Sequence, residues 1–219
     1  MTNLLLHALT GRWPVDGSRI TLGPTHPSVS AVNALLNPPL QHHRFSRAQY
    51  EQMVAVGVFG PEDRLELLDG EIIDMAPQKS RHATAIRLLE ETLKGCFGTG
   101  HDTRAQLPLA LDANSEPEPD IAVVPGSPRD YRDAHPTTAL LIVEVADASL
   151  AYDRVRKLAA YARAGIPEYW ILDLNGETLE VCREPIGDTY GDRRILKRGD
   201  RLAPLAGNGA DFEVADILP

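Results

Sequence analysis

The most informative pattern in the chain is a pair of short apolar runs near its middle, each carrying a single carboxylate. Asp120 opens the run IAVV, and Glu144 interrupts the run LLIVEVA. Continuous apolar runs of this length are typical of strands that are buried on both faces. A buried carboxylate is costly unless it is paired or binds a metal. Alternation along the strand places Ile142 and Glu144 on one face, so exposure of that face to solvent is the alternative interpretation.

A helix is predicted over 149–164, directly after the second run. Its pattern D-x3-K-x3-Y places Asp153, Lys157 and Tyr161 on one side, because residues four apart are neighbours on a helix. In one interpretation, Lys157 leans towards Glu144 on the preceding strand. In the other, Asp153 and Lys157 form an ordinary ion pair along the helix.

Capping and turn residues divide the rest of the chain into elements. Ser46 and Gln49 match a capping box, and Asp69-Gly70 is a strong hairpin turn signal. The predicted elements are a helix over 45–59, a hairpin over 64–77, a helix over 80–97 capped by Ser80, strands over 103–111, 121–124, 140–146, 168–174, 178–184 and 193–198, and a second hairpin turn at Asn175-Gly176.

This order of elements predicts an α/β fold of the α+β kind, with a mixed sheet flanked by helices. The strands are broken by only one crossover helix, which is not the regular alternation of a doubly wound sheet. Residues 1–41 are rich in proline and show no persistent period, so we expect an irregular N-terminal arm there. The domain itself is predicted over 42–219.

Composition agrees with one globular domain, since 219 residues with 43% hydrophobic content are enough for a full core. No apolar run approaches the roughly 20 residues that span a bilayer. Cys96 and Cys182 do not make a disulfide framework. We therefore expect two ordinary thiols and a cytoplasmic location.

The net charge of −9 argues against a nucleic-acid partner, because proteins that bind nucleic acids usually carry a basic surface. Metal-binding carboxylates contribute to this charge, and arginines segregated to one region can still form a basic patch. The arginines near the two apolar runs are Arg129, Arg132, Arg154, Arg156 and Arg163.

The candidate chemistry is that of a divalent metal beside a phosphodiester. Asp120 stands at the mouth of one predicted strand, Glu144 lies inside the next, and Lys157 follows on the helix. Carboxylates are the ligands that Mg²⁺ prefers, and a lysine can stabilise charge on a phosphate. The alternative for Asp120 is that Pro-Asp before a strand is ordinary turn chemistry.

A string of motifs adds a family resemblance over about residues 42–185. ELLDGEIIDM, a histidine early in the next helix, PDIAVVP, LIVEV, D-x3-K-x3-Y and GIPEYWILD follow one another in this order. The string resembles the Uma-two family of restriction-endonuclease-like proteins, which belongs to the PD-(D/E)xK nuclease superfamily. The resemblance implies a central sheet flanked by helices, with a Mg²⁺ (or Mn²⁺) site at the strand ends.

Matching the motifs residue by residue implies the site. Asp120 is the aspartate of PD, Glu144 is the (D/E), and Glu66 takes the place of the acid that precedes them. The resemblance further implies the backbone carbonyl of Val145 as a metal ligand beside Asp120 and Glu144. The superfamily lysine follows the acid by two residues, and the chain has alanine there, which nominates Lys157 on the next helix.

Other polar residues near these motifs are weaker candidates for the site. His82 is either a base or supporting group of the site or an ordinary surface residue of the first helical turn. Gln106 lies between the carboxylate-bearing regions. Asp147 is either an additional ligand or a helix cap, and Tyr161 either hydrogen-bonds in the site or covers the edge of the core.

Two functions follow as hypotheses. The first is a metal-dependent endonuclease that hydrolyses phosphodiester bonds of nucleic acid, with DNA as the expected substrate. The second is a catalytically inactive binding or scaffold protein with the nuclease fold, which the acidic balance and the displaced lysine favour. We also expect a homodimer, because the apolar arm and the predicted edge strands LEVC and RRILK would otherwise be exposed.

Overall fold

Helices and strands alternate irregularly along the part of the chain that the structure describes, residues 42–219 of a computed structural model. The arm predicted over residues 1–41 lies outside the described residues. In chain order the elements are α1 (Arg47–Ala55), β1 (Leu65–Leu68), β2 (Glu71–Asp74), α2 (Ser80–Phe97), β3 (His101–Ala105), β4 (Ile121–Pro125), a 3-10 turn (Pro128–Tyr131), β5 (Leu141–Ala146), α3 (Leu150–Tyr152, the π-helical turn Asp153–Lys157, and Leu158–Arg163), β6 (Glu168–Asp173), β7 (Thr178–Ile186), β8 (Thr189–Lys197), β9 (Arg201–Leu202), β10 (Phe212–Glu213) and a 3-10 turn (Val214–Ile217).

A six-stranded mixed sheet forms the centre of the domain, with strand order β3-β4-β5-β6-β7-β8. Only β5 and β6 are parallel, and the other neighbours are antiparallel. The parallel pair requires a crossover connection, and α3 supplies it. The predicted fold class, a mixed sheet flanked by helices, is confirmed.

Helix α2 covers one face of the sheet through the apolar stripe that its sequence predicts. Ile86, Leu89 and Leu93 are buried and pack with Val123 and Val143 of the sheet. Burial of each leucine side chain contributes roughly 1.5–3 kcal/mol. The stripe fixes the long axis of α2 on the sheet and places its first turn near the start of β4.

Helix α3 covers the other face, where Leu158 and Tyr161 pack with Ile142 and Tyr169. Every residue of β5 and β6 is therefore buried, which is why both strands read as apolar runs. Glu144 lies on the face below α3 and is only 3% exposed. The interpretation in which Glu144 points to solvent is wrong, because its face of the strand is covered by a helix.

The hairpin β1–β2 turns at Asp69-Gly70 as predicted. Both turn residues have positive φ, 52° and 77°, which is the backbone that a two-residue hairpin loop requires. A backbone bridge between Leu67 and Glu116 ties the hairpin to the segment before β4. The hairpin therefore carries Glu66 towards the sheet.

Several element boundaries differ from the prediction. The strand expected over 103–111 ends at Ala105, because Gln106 has a φ of 53° and Pro108 has no backbone N–H to donate. The N-cap of α2 is Lys79 rather than Ser80, which is already helical. Helix α1 is shorter than expected at both ends, although its capping box is present.

Strand β7, which contains the LEVC segment, is not an edge strand. It pairs with β6 on one side and with β8 on the other. The RRILK segment lies in β8, which is at the edge of the sheet. A pattern of alternation in a single strand does not reveal how many neighbours the strand has.

Two further observations concern predictions from composition. Cys96 and Cys182 are both buried and free. Within residues 42–219, no helix combines the length and the apolar character that crossing a membrane requires.

Candidate active site

All five predicted site residues line one cavity of about 290 Å³. The cavity lies between the hairpin β1–β2, the start of β4, the end of β5, helix α3 and the first turn of α2. The residues that the sequence nominated are Glu66, Asp120, Glu144, Val145 and Lys157. The antiparallel register of β4 and β5 explains the convergence, since Ile121 pairs with Val143 and so brings the residue before β4 next to the end of β5.

Lys157 links two of the carboxylates. Its Nζ donates to Glu144 Oε1 at 2.9 Å and lies 3.3 Å from Glu66 Oε2. The Tyr161 hydroxyl donates to the same oxygen of Glu144 at 2.7 Å. The alternative ion pair between Lys157 and Asp153 is not formed among the described residues, so Lys157 belongs to the site rather than to the helix surface.

Asp120 is held by three neighbours at the start of β4. Its Oδ2 accepts a hydrogen bond from the Val145 N–H at 2.8 Å, and its Oδ1 accepts one from Gln106 Nε2 at 3.1 Å. His82 Nε2 lies 3.2 Å from Oδ2. Because the N–H and C=O of a strand residue point to the same side of the strand, the Val145 carbonyl also faces Asp120.

Glu66 enters the cavity from β1 and is 2% exposed. Its Oε2 accepts the backbone N–H of Glu118 at 3.2 Å, and the Tyr152 hydroxyl lies 3.4 Å from its Oε1. The hairpin, the loop before β4 and α3 thus meet at this one carboxylate.

Burial and mutual repulsion dominate the electrostatics of the cavity. Burial raises the pKa of Glu144 well above its usual range; Lys157 offsets part of this effect, and the charges of Asp120 and Asp153 add to it. Burial lowers the pKa of Lys157, but attraction from Glu144 and Glu66 outweighs burial and raises it. Lys157 therefore stays charged, and the cavity favours a further cation.

Asp153, Glu118 and Tyr152 also line the cavity and were not among the nominated residues. Asp153 is 2% exposed and accepts a hydrogen bond from Ser149 Oγ at 2.6 Å, and burial raises its pKa to about 6. Burial and the charge of Glu66 raise the pKa of Glu118. The position of Asp153 one turn before Lys157 was the available signal, but it also fitted an ordinary ion pair.

A π-helical turn directs Asp153 and Lys157 towards the cavity. Within this turn the Leu158 N–H donates to the Asp153 carbonyl, five residues back. Such turns are rare in proteins, and many of those that occur lie at functional sites. No feature of the sequence distinguishes this turn from an ordinary helix.

The weaker candidates divide into residues that join the site and one that does not. His82 is mostly buried beside Asp120 and is not a surface residue; burial lowers its pKa, but the hydrogen bond and charge of Asp120 outweigh burial and raise it. Gln106 joins the site through Asp120. Asp147 instead pairs with Lys79 at 2.8 Å and is not in the lining of this cavity, and the N-cap of α3 is Ser149.

The oxygen donors of the cavity fit Mg²⁺ better than a metal that requires several side-chain ligands. Within residues 42–219, no group of three or more histidine, cysteine, aspartate and glutamate side chains is arranged to hold a metal ion. Mg²⁺ is usually bound through one or two carboxylates, with water and substrate phosphate completing its shell. Asp120, Glu144 and the Val145 carbonyl match this pattern. Glu144 Oε2 also has no hydrogen-bond or ion-pair partner among the described residues.

A protein of known structure shares the fold of this chain. The structure is similar to a solved structure described as a putative nuclease belonging to DUF820 from Anabaena variabilis ATCC 29413, with a TM-score of 0.63 and 13% sequence identity. The similarity covers 79% of this chain and 97% of that chain. At this identity the match establishes a shared fold.

Comparison of the sequence identifies the family. The profile of the Uma2 family, described as "Putative restriction endonuclease", matches residues 47–215. The chain belongs to the Uma2 family, as its motif string predicts. No curated protein matches the chain.

Proposed function

We propose that the protein is a metal-dependent endonuclease that hydrolyses phosphodiester bonds of nucleic acid, with DNA as the substrate. The observation that carries this proposal is the Lys157 ammonium group held between Glu144 and Glu66 in the same cavity as Asp120. Buried acids around one lysine are costly for folding alone, because each ion must be removed from water. Their convergence favours a role in chemistry.

The proposed metal ligands are Asp120, Glu144 and the carbonyl of Val145, which would hold Mg²⁺ (or Mn²⁺). When bound, such an ion supplies Lewis-acid stabilisation of the charge on phosphoryl oxygens. Lys157 places a second positive charge at the same wall of the cavity, where it stabilises negative charge that grows during hydrolysis. Glu66 fixes the Lys157 ammonium group and orients the attacking water.

The test is cleavage of supercoiled plasmid with Mg²⁺ or Mn²⁺ by the wild type and by Glu144→Ala and Asp120→Ala. We expect each substitution to lower the rate at least about a hundredfold, the scale of a lost electrostatic contact in a catalytic site. Glu91→Ala is the matched control, since Glu91 is an exposed acid on α2. Cleavage that survives both substitutions would show that another site, or a contaminant, is responsible.

A second candidate is a binding or scaffold protein that has the nuclease fold and no turnover. The observation that favours it is Ala146, which occupies the position two residues after Glu144 where the superfamily has its lysine. Calorimetric titration with Mg²⁺ and Mn²⁺ distinguishes the two. Absence of binding at millimolar concentrations in a folded protein favours the scaffold, whereas binding that Glu144→Ala abolishes favours the nuclease.

We also propose that the protein is a homodimer. Strand β8 runs over Thr189–Lys197 and has no neighbour on its outer side among the described residues. An open edge of this length is a template for pairing with a second chain. Light scattering on the full chain tests this proposal, and a monomeric mass at micromolar concentration would remove it.

The cytoplasm is the proposed location. Cys96 and Cys182 are buried thiols rather than parts of a disulfide framework, which is the usual state in a reducing compartment. Fractionation of cells that express the chain would test this location.

A further inference from the structure

The reactive groups of the cavity are almost completely buried. Glu66, Glu144, Lys157 and Asp120 are exposed by 2%, 3%, 6% and 8%. A scissile phosphate must therefore enter the cavity to reach them. DNA duplexes are stiff, with a persistence length of about 50 nm, and their phosphates lie on the outside of a wide cylinder. An unpaired strand can instead bend and insert one nucleotide at a time.

The walls of the cavity suit a base as well as a phosphate. Ile73 and Met75 line it from the hairpin, and Tyr152 lines it from α3. Tyr152 is the one Phe, Tyr or Trp side chain among the described residues of the lining. Aromatic side chains are the usual platforms on which the bases of single strands stack, because every base has an aromatic face.

The charges around the cavity also disfavour a duplex. Among the described residues, every lysine and arginine except Arg64, Arg129 and Lys197 lies within 4.0 Å of a carboxylate in an ion pair. Of these three exceptions, only Arg64 lines the cavity. A protein that binds a duplex strongly through its backbone can neutralise about 6–10 phosphates. The described surface offers the cavity far fewer free cations than this.

We infer that the site accepts an unpaired DNA strand in preference to an intact duplex, with the Tyr152 ring packed against the base next to the scissile phosphate. This inference rests on the proposed nuclease function. It adds the class of substrate and a specificity-determining residue, Tyr152, to that function.

The first experiment compares three oligonucleotides of the same sequence: a single strand, a fully paired duplex, and a duplex with an unpaired tail. Each is incubated with the wild type and with Glu144→Ala in Mn²⁺ or Mg²⁺. We expect the single strand and the tail to be cleaved at least tenfold faster than the duplex, and Glu144→Ala to abolish cleavage of all three.

The second experiment measures binding separately from cleavage, by fluorescence anisotropy of the labelled single strand with Ca²⁺ in place of Mg²⁺. We expect Tyr152→Ala to weaken binding roughly 5- to 150-fold, the range for loss of one stacked base, and Tyr152→Phe to retain most of the affinity because it keeps the ring. Val155→Ala is the matched control on the same helix, since Val155 is 64% exposed. Thermal unfolding of each variant shows whether the fold is kept.

The outcomes separate the inference from the proposed function. Cleavage of the duplex as fast as the single strand, with dependence on Glu144, would overturn the inference and leave the nuclease proposal standing. Equal binding by Tyr152→Ala and the wild type would remove Tyr152 from the substrate contact. Absence of cleavage of every substrate by the wild type would overturn both.

Discussion

At the residue scale, the Lys157 ammonium group shows that the effect of a buried ion on stability depends on all of its charged neighbours and not on one partner. It is 6% exposed and lies between Glu144 and Glu66. Removing the lysine leaves both acids without a cation, whereas removing one acid together with the lysine leaves only the other acid unpaired. The stability of the site therefore depends on the balance of the whole cluster.

We expect Lys157→Met to lower the free energy of unfolding by ~3–5 kcal/mol, because Glu144 and Glu66 then face each other without a cation. The double variant Lys157→Met/Glu144→Gln should recover part of this loss, because it removes the repulsion between the two acids although Glu66 still lacks its cation. Urea unfolding monitored by circular dichroism measures both values.

The control for this pair is Lys94→Met, which removes a lysine that is 59% exposed and paired with Glu90 on α2. Its cost should be below about 1 kcal/mol, as for other surface ion pairs. A double variant less stable than Lys157→Met alone would contradict the picture of one coupled cluster.

Glu116 gives a second prediction at the residue scale, away from the cavity. Burial and a hydrogen bond with Glu51 raise its pKa to about 7. An acid whose pKa is raised on folding holds its proton longer in the folded chain, so the stability it contributes is complete below its unfolded pKa of about 4.5 and is lost as the pH rises through 7.

Glu116→Gln removes this titration and should therefore raise the melting temperature at pH 8 while changing it little at pH 4.5. We expect a gain of about 1–2 kcal/mol at pH 8, less than the full shift implies because solvent screens part of the effect. Differential scanning calorimetry at the two pH values, with the exposed Glu62→Gln as control, measures the difference. A gain of equal size at both pH values would show that ionisation of Glu116 is not its cause.

At the scale of elements, the hairpin β1–β2 and the π-helical turn of α3 decide which side chains reach the cavity. The hairpin follows from local rules, since Asp69-Gly70 is a strong turn signal. The π-helical turn does not, because no local signal in the sequence marks it. The helix predicted over 149–164 agrees with the extent of α3, but the sequence does not predict the π-helical turn within it.

Gly70→Ala should destabilise the protein by about 1–3 kcal/mol. Gly70 has a φ of 77°, and an added Cβ would lie 2.9 Å from the Arg44 Cβ and 3.1 Å from the Phe45 carbonyl. Gly95→Ala is the matched control, because Gly95 lies in α2 with no atom within 4 Å of an added Cβ. It should stabilise the protein by roughly 0.5–1 kcal/mol. Thermal melts of both variants measure these changes in stability. Equal changes for Gly70→Ala and Gly95→Ala would rule out strain at the hairpin turn.

At the scale of the whole molecule, the net charge of −9 and the pairing of most cations with carboxylates would limit binding of the proposed nucleic-acid substrate. Few phosphates can be neutralised, so salt should affect binding weakly. A single strand contributes a slope of about −0.7 per neutralised phosphate to the plot of log K against log salt concentration.

We expect a slope of about −1 to −2 for the labelled single strand, measured by anisotropy in Ca²⁺ from 50 to 200 mM KCl. Arg64→Ala should make the slope shallower by about 0.7, because Arg64 lines the cavity and forms no ion pair with any residue of 42–219. Arg129→Ala, which removes an unpaired arginine that does not line the cavity, should leave it unchanged. A slope of −5 or steeper would indicate an extensive basic interface and contradict this expectation.

The fold was largely predictable because its elements follow local rules. A short segment is enough to predict each of three features. These are the apolar runs of β4 and β5, the apolar stripe of α2 and the turn at Asp69-Gly70. Element ends were less predictable, as β3 shows: it ends before Gln106, which has a positive φ and donates a hydrogen bond to Asp120.

The sequence by itself determined the family and the mixed sheet between helices, and it predicted that Glu66, Asp120 and Glu144 lie together, because the order of motifs and the period of apolar residues can be read along the chain. Only the tertiary structure decided that Lys157 binds Glu144 and Glu66 rather than Asp153, that His82 lies against Asp120, and that Asp153 and Tyr152 share the cavity. The physical reason is that these contacts join segments up to 91 residues apart, as Lys157 and Glu66 do. Sheet register and helix packing set such contacts, and no local pattern encodes either.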